Sequence, residues 1–235
     1  TRHMSPVTHR DSMDFFLVKA RARVLQETTY DGWLKVSKSF ENELKRHPAG
    51  YSLVATQYGL SVAYAKMNQK DKALTAIRAA KAASKENSVI LDKHLAELTY
   101  QVAKTQAQKD QALALAKSTC NQYPYSGLAA SNYVELLFQS GKHQELVNYL
   151  RNQSALSRSN PDYHMYLARS YEALGKKSMA FAATGDMYAL LDNPRAAVYQ
   201  FELAQKANDG DFYIMSEIDA KLREQRQKVL DQKKD

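Results

Sequence analysis

Residues 166–175 read YLARSYEALG, and 34 residues earlier the chain reads NYVELLFQSG, so that Gly175 and Gly141 close two apolar, aromatic stretches at one spacing. Leu167, Ala168, Tyr171, Gly175, Ala180 and Thr184 are matched one period back by Tyr133, Val134, Leu137, Gly141, Leu146 and Leu150. A match that extends to both sides of the glycines is what an internal repeat produces. One period further back stand Thr99, Tyr100, Ala103, Ala107, Ala112 and Ala116, with Pro124 separating off the next helix. The unit before that reads Leu60, Ser61, Tyr64, Asn68, Ala73, Ile77 and Ala80, offset by five extra residues around KENSV.

The pattern describes two antiparallel helices whose facing surfaces take a large residue, a small one, then a large one. Small side chains at Ala73, Ala112, Ala168 and Ala180 let backbones approach, and Tyr64, Leu137 and Tyr171 fill the space between turns. Gly141, Gly175 and Asn68 fit the left-handed position that ends a first helix. The remaining chain is read the same way. An amino-terminal helix pair over 11–48 ends at Pro48, the repeat units occupy 51–192, and a carboxyl-terminal pair runs over 194–230, with Pro194 in a first helical turn and Asn208-Asp209-Gly210-Asp211 breaking the chain between its helices. Residues 1–10 read as a cloning scar and linker, and 11–235 as one domain.

Composition agrees with an all-α chain. Of 235 residues 44% are hydrophobic and 25% charged, with only eight glycines and five prolines, which leaves long proline-free stretches rich in Ala, Leu, Lys and Gln. The formal charge of +8 is spread along the chain without a run of five like charges, which argues against a nucleic-acid partner. No stretch approaches ~18 uninterrupted apolar residues, so no transmembrane segment is expected. The single cysteine, Cys120, rules out an internal disulfide and reads as a buried thiol.

These units resemble the tetratricopeptide repeat, although the usual Trp is missing and Tyr100 and Val134 stand where a small residue is usual, which predicts wider helix spacing in those two units. The resemblance implies a right-handed solenoid of about twelve helices in antiparallel pairs, with one helix of each pair lining a concave groove. Tyr58, Glu97, Gln101, Lys104, Glu135, Arg169 and Tyr199 fall on that side, His94 stands beside Glu97, and Lys72 and Lys177 are expected to face outward. Such a mixed aromatic and polar stripe suits recognition of a partner peptide or helix.

Catalytic and metal chemistry find no support in the motifs. The six histidines include no H-E-x-x-H, and no two stand four apart on a helix; His94 and Glu97 make only an i,i+3 half-site. There is no Gly-rich phosphate loop and no G-x-S-x-G elbow. No catalytic residue, metal site or cofactor is expected in this chain.

Residues 208–227, NDGDFYIMSEIDAKLREQRQ, are similar to the carboxyl terminus of bacterial periplasmic zinc metalloproteases of the β-barrel-assembly-enhancing type, and DFFLVKARARVL and YGLSVAYAKMNQKDKAL resemble the start of that family's repeat domain. The resemblance implies a periplasmic repeat domain whose own protease domain, carrying the zinc, lies in a missing amino-terminal half. It also implies docking onto the β-barrel assembly machinery and outer-membrane β-barrel proteins, with Phe212, Arg223 and Arg226 of the last helix as further contacts. The alternative is a free-standing scaffold or chaperone adaptor that binds peptides in its groove.

Overall fold

A computed structural model describes residues 12–233; the expected scar and the first residue of the expected domain lie outside them, as do the last two residues. The described residues form twelve α-helices and no strand: α1 Met13–Leu25, α2 Tyr30–Leu44, α3 Gly50–Lys66, α4 Lys70–Ala83, α5 Val89–Val102, α6 Gln106–Gln122, α7 Gly127–Gln139, α8 His143–Asn152, α9 Pro161–Ala173, α10 Lys177–Leu190, α11 Pro194–Ala207 and α12 Phe212–Asp231. They divide into two compact units, one ending at Tyr123 and the other beginning at Pro124.

The turns repeat one device. Asn68, Gly141, Gly175 and Asp192 all have positive φ, at 59°, 69°, 72° and 55°. In each case the next residue's N–H reaches back five residues, as Lys142 donates to Leu137 O and Lys176 to Tyr171 O, both at 2.9 Å. This pairing satisfies carbonyls that a helix end otherwise leaves open. The glycine of YLARSYEALG is therefore the turn.

The third unit departs from the expected register. Ala107, expected in the turn, lies inside α6, because Thr105 and Gln108 form a reciprocal capping box that starts the helix at Gln106. The turn is Ala103–Thr105, and Lys104 occupies the place that Gly141 and Gly175 hold elsewhere. Tyr100 therefore takes the packing position of Tyr64 and Tyr171 and not that of a small residue, half-buried with the Lys109 ammonium 5.9 Å from its ring centre. The extra residues expected around KENSV are shared between the loop at 84–88 and a long α6 of 17 residues.

In the first unit α1 and α2 barely touch each other and both pack on α3. Leu17, Val24, Phe40, Val54, Tyr58, Ile77, Leu91 and Leu98 are buried to 1% exposure or less and fill this core; each contributes roughly 1.5–3 kcal/mol of transfer free energy. Phe40 seats on Gly59, where a Cβ would lie 2.4 Å from the ring. The second unit reuses the device: Phe201 of α11 seats on Gly185 of α10, where a Cβ would lie 2.6 Å away. Ala182, Ala197, Ala204, Ile218 and Leu222 complete that core. α7 and α8 approach less closely than α9 and α10; the Tyr133 and Tyr149 rings stand edge to face between them at 4.9 Å.

Candidate partner-binding grooves

In the second unit α9, α10 and α11 enclose an open groove of about 630 Å³. Each helix presents to it one stripe at i, i+3, i+4 or i+7 spacing: Met165, Ala168, Arg169 and Glu172 from α9, Lys177, Ala180, Phe181 and Thr184 from α10, and Gln200, Leu203 and Ala207 from α11. The floor is apolar, and two methionines, Met165 and Met187, give it adaptable side chains. Arg169, Lys177 and Lys206 on its rim face one acid, Glu172. A groove of this size with an apolar floor and few polar groups has the build of a binding site.

Arg169, one of the expected contacts, lines this groove. Its guanidinium lies 5.8 Å from the centre of the Phe138 ring, and Phe138 packs against Tyr166 at 6.4 Å. Tyr166 donates its phenol proton to the Glu135 carboxylate, so two expected contacts, Glu135 and Arg169, belong to one α7–α9 cluster. Burial, then the hydrogen bond to Glu135, raises the Tyr166 phenol well above the ordinary range. Lys177 was expected to face outward but lines the groove, because it stands one helical turn before Ala180 and Phe181 on the same stripe of α10.

Tyr199 is 60% exposed on α11 and lies outside the groove lining. Phe212 and Tyr213, 79% and 82% exposed, stand edge to face at 5.8 Å at the start of α12. Arg223 is exposed on the same helix, and Arg226 is held by Glu202 at 3.0 Å. A second depression of about 500 Å³ lies between α9, α10 and α12 and includes Tyr213, His164 and the Lys221–Asp186 ion pair.

The first unit corrects two expectations. Tyr58 is 1% exposed and His94 7%, so neither faces a groove. The reason is that α1 packs along α3 and the His94 side chain of α5 reaches across to it. Tyr58 stands edge to face with the His94 ring at 5.5 Å. Ser61 donates its one hydroxyl proton to Ala73 O at 2.6 Å, which leaves its oxygen to accept from His94 Nε2–H at 3.0 Å. The other ring nitrogen, Nδ1, faces Glu97 at 3.9 Å. Burial works to raise the Glu97 carboxyl, but His94 and the Lys93 ammonium at 3.1 Å outweigh it and hold the pKa below its ordinary value. Glu97 is thus tied to its neighbours, Gln101 is exposed, and Lys104 sits in the α5–α6 turn, not on the helix face.

Met165, Phe181, Met187, Leu203 and Lys206 also line the groove and were not among the expected contacts. A sequence signal existed for Met165, four residues before Arg169 on one face of α9; for the α10 and α11 residues there was none, since their convergence is tertiary. Among the described residues no three His, Cys, Asp or Glu side chains are placed to hold a metal ion, and no helix is long and apolar enough to cross a membrane.

Comparison with known proteins separates fold from family. No protein-family model and no curated protein matches the chain. Solved structures do. PilW, described as a widely conserved type IV pilus biogenesis factor, aligns with a TM-score of 0.59 at 17% identity over 94% of this chain and all of its own. MamA from AMB-1 aligns at 0.56 and 17% over 76% of this chain and 98% of its own, and MamA from MSR-1 at 0.53 and 16% over 77% and 97%. The chain has the all-α tetratricopeptide-repeat fold. At these identities the likeness extends to the fold alone, and the helix pairs, their left-handed turns and the Tyr64, Tyr100 and Tyr171 positions are its tetratricopeptide-repeat features.

Proposed function

We propose that this chain is a non-catalytic protein–protein interaction module whose α9–α11 groove takes a segment of its partner. The observation that carries the reading is the groove itself, an apolar, methionine-lined floor of about 630 Å³ rimmed by Arg169, Lys177 and Lys206. An apolar side chain of the partner fills the floor, and carboxylates beside it meet the three cations. Arg169 is the anchor, held against the Phe138 ring before any partner arrives.

The finer reading is that the module recruits substrates for a periplasmic zinc metalloprotease and docks it on the machinery that assembles outer-membrane β-barrels. It rests on the similarity of residues 208–227 to the carboxyl terminus of that protease family. Two residues of the segment have structural duties, since Asp211 caps α12 and Asp209 caps α10. The docking role in that segment accordingly falls to the exposed Phe212, Tyr213 and Arg223, with Glu135, Gln101 and Tyr199 as further contacts. Zinc belongs to the protease domain in this reading, and no residue of this chain ligates it.

Purified β-barrel assembly machinery and immobilised chain provide the test. Arg169→Ala should weaken binding by about thirtyfold, since truncating a well-packed arginine anchor costs ~2 kcal/mol, and the exposed Lys228→Ala should leave it unchanged within about threefold. Full binding by Arg169→Ala and by Leu203→Asp would refute the groove, while absence of binding to the machinery by the wild type would refute the docking role.

A further inference from the structure

The net charge of +8 is divided very unevenly. Up to Tyr123 there are 19 Lys and Arg against 11 Asp and Glu, and from Pro124 onward 14 against 14, so the whole excess belongs to the first unit. Within that unit it gathers on α3 and α4. Between residues 50 and 85 six cations stand against one acid, Asp71. Arg78 lies on the outward face of α4 with Thr75 and Ala82, Lys72 borders it, Lys85 follows in the loop two residues past the helix end at Ala83, and all five are exposed. Lys85, Arg78 and Lys72 have no carboxylate within ion-pair distance among the described residues; the Lys72 ammonium is 5.6 Å from the Tyr64 ring centre. Two nearby acids are engaged, Asp92 with Lys81 and Glu86 with the Tyr51 hydroxyl, which leaves Asp71 as the single counter-charge beside the face.

We infer that the outward face of α4 is a docking surface for an acidic segment of a partner protein, rich in Asp and Glu. The face carries no large apolar side chain, since the exposed large hydrophobics of the first unit, Val18, Leu25 and Tyr30, all belong to α1 and α2. It therefore offers neither the apolar face that seats a helix in a lipid interface nor a ring on which a base stacks. What it does offer is a smooth alanine and threonine surface, with a guanidinium fork at Arg78 that matches a carboxylate in two-point geometry. By helix rise Lys72 and Arg78 are spaced roughly 9 Å along α4, about one Debye length at ~0.1 M salt, so neighbouring cations reinforce one another toward an extended polyanion, and more so as salt falls. This surface lies in the first unit and does not depend on the α9–α11 groove.

The probe is a fluorescent peptide of alternating Glu and Ser, titrated by anisotropy at about 0.03 M and about 0.15 M salt. The full chain is compared with Lys72→Glu/Arg78→Glu/Lys85→Glu and, as the charge-matched control, with Lys35→Glu/Lys38→Glu/Arg46→Glu on α2 and the turn that follows it, whose three side chains are also exposed. The α4 variant should lose about tenfold or more in affinity and the α2 variant no more than about threefold. The neutral triple Lys72→Gln/Arg78→Gln/Lys85→Gln repeats the loss if the reversed variant is poorly folded by circular dichroism. Equal losses in the α4 and α2 variants would show that net charge alone attracts the peptide and would overturn the proposal. So would binding of a duplex DNA or of phosphatidylglycerol vesicles by a chain that leaves the peptide free.

Discussion

Removing the Asp209 carboxylate takes two hydrogen-bond acceptors from the first turn of α10 at once. Lys176, at the cap position of that helix, makes no side-chain cap. Asp209, from the turn between α11 and α12, does the work from outside: its two oxygens accept from the Lys177 and Ser178 N–H groups, both at 2.8 Å. Ser178 completes the joint by donating its hydroxyl to Ala204 O at 2.9 Å and accepting from the Asp209 N–H at 3.1 Å. Loss of a helix cap costs ~1 kcal/mol and up to ~2, and loss of a negative charge at a helix amino terminus ~0.3–1 kcal/mol more at an exposed site. Asp209→Ala should therefore destabilise the second unit by about 2 kcal/mol, and Asp209→Asn, which keeps one acceptor, by about 1 kcal/mol. Burial pushes the Asp209 carboxyl up, but the hydrogen bonds from Ser178 and Lys177 outweigh it, so its pKa lies below the ordinary 3.8. A depressed folded-state pKa means stability that is present above the unfolded value and lost as pH falls through the folded one. The gap between wild type and Asp209→Ala, measured by urea unfolding, should thus be full at pH 7 and close below about pH 3.8. Hydrogen exchange at the Lys177 and Ser178 amides should quicken in both variants. Equal unfolding midpoints at pH 7, or a gap that persists unchanged in acid, would show that Asp209 does not cap α10 as a carboxylate.

Gly185→Ala should cost about 1–3 kcal/mol, because its Cβ meets the Phe201 ring at 2.6 Å; Phe201→Leu in the same chain should recover part of the loss in thermal melts. Tyr171→Ala removes a side chain only 5% exposed, and should cost ~3 kcal/mol in urea unfolding while weakening partner binding only under conditions that unfold it. Burial, then the hydrogen bond to and charge of Glu41, pushes the Tyr64 phenol up to about 12. That raised value adds stability below the ordinary phenol pKa of 10.0 which is lost as pH rises through about 12. Accordingly Tyr64→Phe should leave the ultraviolet tyrosinate signal at about pH 10 almost unchanged.

The repeat was legible because its turns use backbone that few residues adopt. Gly141, Gly175 and Asn68 mark three of the left-handed ends directly, and Pro194 marks the start of α11. Where the turn was made by a side-chain cap, legibility failed. Thr105 and Gln108 set the start of α6, and an alanine pattern aligned past them by three residues. Arg169 lines the groove and Glu135 stands beside it through Tyr166, both on helical stripes that the sequence shows, whereas Tyr58 and His94 were misplaced because what covers α3 is a tertiary fact. The trans cap from Asp209 had no local signal, since its partners lie 31 and 32 residues away.

In the proposed function the partner enters the α9–α11 groove. Hydrogen exchange of the chain with and without saturating β-barrel assembly machinery tests it most directly, since it reads each helix separately. Exchange should slow on binding over 165–172 of α9 and 200–207 of α11, and Arg169→Ala should abolish the effect. Slowed exchange confined to other helices, or protection of α9 and α11 that survives Arg169→Ala together with Leu203→Asp, would contradict it.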